Sequence, residues 1–134
     1  MKLGVMNPVL NSYKLEDALS YLHGLGVQCL EVGAGGFPGD VHLKPSELIG
    51  NPEAVAEFKA LFEKYEIEIA AISCHGNPLH PQKEIADKFH NEFINAILAA
   101  EALGVDTIIG FAGCPGDCDN SMYPNWVTCP WPED

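Results

Sequence analysis

Residues 67–80, IEIAAISCHGNPLH, decide how this chain is read. An apolar run without clean alternation is what a strand buried on both faces of a parallel sheet needs, and this one breaks off at Ser73, Cys74, His75, Gly76 and Asn77. Ligands of α/β sheets collect outside the carboxyl ends of the strands, so the polar burst falls where a site belongs. His75 is a candidate by position as much as by its imidazole. On simple alternation it shares a face with Ile67, Ile69, Ala71 and Ser73.

Working outward, three amphipathic helices alternate with four apolar strands. Residues 3–6 (LGVM) read as the first strand, and Leu15, Ala18, Leu19 and Leu22 recur at helical spacing behind Ser12 as N-cap. Gly24 and Gly26 end that helix. Val27 to Val32 read as the second strand, before the loop GAGGFPG at 33–39. Asn51-Pro52 then supplies an N-cap followed by proline at the first helical position, with Val55, Phe58, Leu61, Phe62 and Tyr65 as the buried stripe. The third helix spans Gln82 to Leu103 and ends at Gly104; Val105 to Phe111 reads as the fourth strand. Leu-Gly-Val stands before a strand twice, at 25–27 and 103–105, a weak repeat of a βα unit. Strands alternating with helices imply a parallel sheet with right-handed crossovers.

With 134 residues, 47% hydrophobic and 19% charged, the chain is expected to form a single domain over 1–134 with an ordinary core. A net charge of -12 and no cluster of basic residues disfavour nucleic acid and anionic membrane surfaces as partners. No stretch approaches the roughly 20 apolar residues of a membrane span, and the N-terminus lacks a signal-peptide hydrophobic region, so a cytoplasmic protein is expected. The five cysteines are expected to be reduced thiols. Residues 112–134 hold four prolines, two glycines and no apolar period, and read as a long loop after the fourth strand. A strand followed by such a loop, with no helix to cover it, reads as a boundary within a larger protein.

This order of elements, with GVQCLEVG at 26–33, SCHGNPLHP at 73–81 and ALGVDTIIGFAG at 102–113, resembles the sugar phosphate isomerase/epimerase family of xylose isomerase-like TIM barrels. The resemblance implies an eight-stranded parallel (β/α) barrel, of which this chain carries the first four strands and three helices, its N-terminal half. It further implies a metal-dependent sugar, sugar phosphate or cyclitol isomerase or epimerase of carbohydrate metabolism that abstracts a proton next to a carbonyl. Dehydratase or lyase chemistry shares that step. A divalent metal (Mn, Mg, Co or Zn) is implied for the complete barrel, held by carboxylates and a histidine of its second half; none is expected on this chain alone. Related endonucleases would place a metal-binding histidine after the fourth strand, where this chain has Gly110, Phe111, Ala112 and Gly113.

The expected substrate-binding residues are His75, Glu31 and Asn77, facing a small-molecule sugar. His75 either addresses a sugar hydroxyl or a carboxylate supplied elsewhere, or satisfies a loop carbonyl. Glu31, at the end of the second strand, either faces the cavity or ties to a neighbouring strand. Asn77 more often shapes a turn than touches a ligand, His80-Pro81 more often opens a helix, and Asn7-Pro8 reads as turn chemistry. The glycine-rich loop lacks the spacing of a dinucleotide fingerprint. Cys114, Cys118 and Cys129 offer only one Cys-x3-Cys pair, short of a zinc site. Trp126 and Trp131 could wall a sugar ring or pack the loop on the rim. The rival to an enzyme is an inert half-barrel with an assembly or small-molecule-binding role, since four strands leave both sheet edges open to pairing with another chain; a chain of this length active alone would have to complete its barrel with a second copy, a possible homo-oligomer.

Overall fold

A computed structural model describes residues 1–126. Strand β1 (Gly4–Met6) leads into a 3-10 turn (Asn7–Leu10), helix α1 (Leu15–Gly24), β2 (Cys29–Gly36), a short α2 (Pro45–Leu48), α3 (Pro52–Lys64), β3 (Glu68–His75), α4 (Lys83–Leu103) and β4 (Ile108–Gly110). The strands form one parallel sheet in the order β1-β2-β3-β4, the arrangement of three successive βα units and a fourth strand of a barrel.

The helices close over one face of this sheet. Leu19 and Leu22 of α1, Phe58 and Phe62 of α3, and Ala96, Ala99, Ala100 and Leu103 of α4 pack on Leu30, Val32, Ala34, Ile72 and Cys74. Small residues let α4 lie close to the strands, whose glycines accept its large rings: a Cβ on Gly76 would strike Phe89, and one on Gly110 would strike Phe93. The opposite face is an open hollow of about 440 Å³ lined by Met6, Cys29, Glu31, Ala71, Thr107 and Ile109.

Simple alternation along β3 fails at one point. Leu30 pairs with Ile69 but Glu31 pairs with Ala71, so Ala70 is an extra residue that shifts the register. Below it, Ile67 and Ile69 sit with the helix-side core; above it, Ile72 and Cys74 take that side, while Ala71 lines the hollow and Ser73 and His75 follow it on alternate positions. The face expected to be shared by Ile67, Ile69 and His75 is therefore two faces joined by a bulge.

Other boundaries also move. Helix α1 begins at Leu15 with Lys14 before it and no side-chain cap, so Ser12 is not its N-cap; the 3-10 turn occupies the chain after β1 and pushes the helix start onward. Glu16 and Asp17 in its first turn complement the dipole instead. Asn51 does cap α3, accepting a hydrogen bond from the Ala54 amide at 3.2 Å ahead of Pro52. Gly104 closes α4 in a left-handed conformation at φ 74°. Strand β2 runs four residues past Val32 through the glycines, and β4 is shorter than 105–111, being paired only along Ile108–Gly110. Helix α2, only four residues long, is too short to leave a periodic signal in the sequence.

The extension of β2 depends on Gly36. Its φ is +65°, and a Cβ there would lie 2.0 Å from the His75 carbonyl oxygen. That same oxygen accepts a hydrogen bond from the Phe37 amide at 2.6 Å. Gly36→Ala must break this crossing or distort the end of β3, and should lower stability by about 3 kcal/mol or more in urea unfolding. A loss under about 1 kcal/mol would mean that the crossing is not required by the fold.

Cys29, Cys74, Cys114 and Cys118 are free thiols; Cys129 lies outside the described residues. Burial pushes the Cys74 thiol up from 9.0 to about 11, with the Glu92 carboxylate adding to the shift. The unfolded chain releases this proton near pH 9 while the native state holds it, so the thiol's contribution to stability is complete below pH 9 and is lost as pH rises through about 11. At pH 8, iodoacetamide should label exposed Cys118 well before Cys74, as followed by mass spectrometry. Equal labelling rates would contradict the packing of β3.

Candidate functional site

The carboxyl ends of the strands gather residues from four loops. After β1, Asn7 is buried and acts as a hub: its Oδ1 accepts from the Gly33 amide at 2.8 Å, and its Nδ2 lies 2.7 Å from His42 Nδ1. His42 Nε2 is 2.9 Å from the Tyr13 carbonyl, which only accepts, so Nε2 carries the proton and Nδ1 accepts from Asn7. Asn7 thus fixes the β1 turn, the glycine segment of β2 and the loop before α2 in one network. Turn chemistry alone understated it, because the partner at 42 is distant in sequence.

His75 ends β3. Its ring lies flat against Phe111, with centroids 4.7 Å apart and 4° between planes, and its Nε2 is buried without a hydrogen-bond partner among the described residues. The reading in which His75 satisfies a loop carbonyl therefore finds no such contact. Phe111 follows β4 directly and joins Phe37 at 6.3 Å and Trp126, edge-on, at 6.4 Å; Phe37 also meets Phe89 at 5.2 Å. Phe37 is 66% exposed and Phe111 46%, so the group forms an aromatic shelf at the mouth, open to solvent. Trp131 lies outside the described residues.

Glu31 does not stand at a strand end. Because β2 continues to Gly36, Glu31 pairs with Met6 and Ala71 in the middle of the sheet, on the open face. No strand tie is formed; among the described residues its carboxylate has neither hydrogen bond nor ion pair. Ala71, which lines the hollow with Glu31, is four residues before His75, roughly 13 Å along the strand, so Glu31 and His75 do not reach the same atom.

Asn77 is 2% exposed and spends its amide on backbone. Its Oδ1 accepts from the Cys114 amide at 2.8 Å and from the Leu79 amide at 3.2 Å, and its Nδ2 donates to the Cys114 carbonyl at 2.8 Å. It shapes its own turn and clasps the segment after β4. His80 Nδ1 accepts from the Gln82 amide at the start of α4, in keeping with the helix-opening reading.

Among the described residues no three His, Cys, Asp or Glu side chains converge to hold a metal ion. The donors of the described residues do not fit the divalent metal that the family resemblance implies.

A parallel sheet in sequential order, glycines where helix and strand cross, and a site assembled from strand ends are barrel features, and comparison with known proteins agrees. A family model described as xylose isomerase-like TIM barrel matches residues 19–128. The chain belongs to that family. It includes sugar isomerases and epimerases as well as endonucleases. The chain is also similar to an uncharacterized protein of Bacillus subtilis (strain 168), YfiH, with 33% identity over 135 residues covering 98% of this chain. It spans 42% of the length of that relative. Among the described residues no helix is long and apolar enough to cross a membrane.

Asn7→Ala should leave the Gly33 amide and the His42 ring unpaired in a buried place, costing about 2–4 kcal/mol in chemical unfolding. His42→Ala combined with Asn7→Ala should cost clearly less than the sum of the single changes. Strict additivity would show that the two side chains are not one network.

Proposed function

We propose that this chain belongs to an enzyme acting on a small sugar or cyclitol, an isomerase or epimerase that abstracts a proton next to a carbonyl. The observation that carries the proposal is His75, whose unpartnered imidazole stands at the strand ends beside the aromatic shelf of Phe111, Phe37 and Trp126. Carbon-bound hydrogens of a sugar ring are apolar and pack on aromatic faces, while its hydroxyls need directional polar groups such as a neutral imidazole. A shelf and a polar point side by side suit a molecule of both characters.

In this reading the described residues bind and orient. His75 addresses a hydroxyl, Glu31 lines the deeper part of the cavity, and Asn77 acts through the loops it clasps, holding His75 and Phe111 in register. The acid, the base and any divalent metal of the reaction are placed on residues outside those described. Dehydratase or lyase reactions would use the same orienting groups. The acidic balance of the chain weighs against a DNA substrate.

A second reading, a half-barrel that serves assembly or small-molecule binding without chemistry, draws on the outer edges of β1 and β4, which pair with nothing among the described residues. Turnover separates the two. In the full natural chain, His75→Ala should lower kcat/KM on the true substrate by at least roughly tenfold, about 1.4 kcal/mol of transition-state stabilisation, with little change in the unfolding midpoint. Intact turnover with a large loss of stability would make His75 a structural group.

A further inference from the structure

The hollow on the open face of the sheet holds one charge in a largely apolar lining. Val5, Met6, Ala71 and Ile109 line it together with the Glu31 carboxylate and the Thr107 hydroxyl. Glu31 is half-buried there, and among the described residues it has neither hydrogen bond nor ion pair.

The surface around the hollow has the form of a face made to be covered. The outer edges of β1 and β4 pair with nothing among the described residues, and Ile94 and Ile97 of α4 are exposed. Glu92 and Asn95 line a crevice with Pro45 and Ser46 of α2, so Ile94 and Ile97, each two residues further round the helix, lie on the flank turned away from α2. A parallel barrel covers such edges and flanks with further βα units and fills its interior with side chains.

Covering the hollow takes Glu31 out of water. A carboxylate so placed is costly unless a cation meets it, and Thr107 supplies only a hydroxyl. No basic residue of the chain lines the hollow. All seven are lysines: Lys2, Lys44, Lys64, Lys83 and Lys88 pair with carboxylates elsewhere, Lys14 is exposed ahead of α1, and Lys59 lines a separate hollow with Phe62 of the helix-side core. A second copy closing the barrel would bring the same lining again, and with it a second Glu31 into one interior with no lysine between them. Like charges repel strongly where water is excluded, so a second copy is the wrong occupant. Further βα units of the same chain have the right architecture, in keeping with its spanning less than half the length of the relative it matches.

We propose that the hollow receives the remaining strands of the natural chain, and that one of them brings a lysine or arginine whose nitrogen pairs with the Glu31 carboxylate inside the barrel. Glu31 then joins the two walls of the barrel beneath the mouth. This assignment is independent of what His75 binds.

The test is a crystal structure of the full natural chain, with its mass in solution from sedimentation equilibrium and thermal unfolding of Glu31 variants. A Lys or Arg nitrogen of the same chain is expected within about 4 Å of a Glu31 carboxylate oxygen. Glu31→Gln should lower the melting temperature at pH 7 by at least about 5 °C, because it leaves a buried cation unpaired. Glu31→Leu combined with the basic residue changed to Met should recover at least half of that loss, since a desolvated pair is replaceable by apolar packing. A Glu31 that faces only water, hydroxyls or a bound small cation overturns the proposal. So does a dimer in which a second copy forms the far wall, or a melting temperature that holds or rises with Glu31→Gln. A double variant that recovers nothing shows that the two groups do not act as a pair, and overturns it equally. Should Glu31→Gln fail to fold, the contacts of Glu31 in the unsubstituted chain decide.

Discussion

One inserted residue, Ala70, determines which chemistry β3 presents. Side chains of a strand alternate with period two, so a single extra residue exchanges the faces of everything beyond it. Without the bulge, the register that places Ile67 and Ile69 against the helices would carry Ser73 and His75 into the same apolar layer, and would turn Ile72 and Cys74 to the hollow. With it, Ile72 and Cys74 continue the core while Ser73 and His75 take the other face of the same strand. Stability and site occupy one strand because the bulge separates them.

The upper part of β3 is then held by backbone. The His75 carbonyl receives the Phe37 amide across Gly36, a residue with no room for a side chain, and Glu92 Oε2 of α4 accepts from the Gly36 amide at 2.9 Å. These bonds bring Phe37 toward Phe111 and keep the glycine segment in the sheet, where it serves as strand. Asn7 fastens the same segment from the β1 side through Gly33. The aromatic shelf therefore stands on hydrogen-bonded backbone from three strands, the rigid support that an orienting surface needs.

Much of the architecture was legible in the sequence, because it depends on local signals: helical periodicity in α1, α3 and α4, the Asn51-Pro52 start of α3, Gly104 at the end of α4, and the apolar run of β3. The family followed from the order of those signals. What escaped depends on contacts distant in sequence. The Ala70 bulge is set by pairing with β2, the continuation of β2 through its glycines by the approach of His75, and the Asn7–His42 network by a partner 35 residues away. Of the site, His75 was found through its place after a strand. Phe111 reads as an ordinary strand residue, since its stack on His75 cannot be read from composition.

Asn77 carries a consequence for how the two loops can vary in length. By bonding both the amide and the carbonyl of Cys114, its side chain imitates the edge of a strand and joins the segment after β3 to the segment after β4. Gly113, at φ +95°, leaves no slack beside the clasp, since a Cβ there would lie 2.8 Å from Asn77 Oδ1. Insertions or deletions between Phe111 and Cys114, or between His75 and Asn77, would pull the two halves of the His75–Phe111 stack apart.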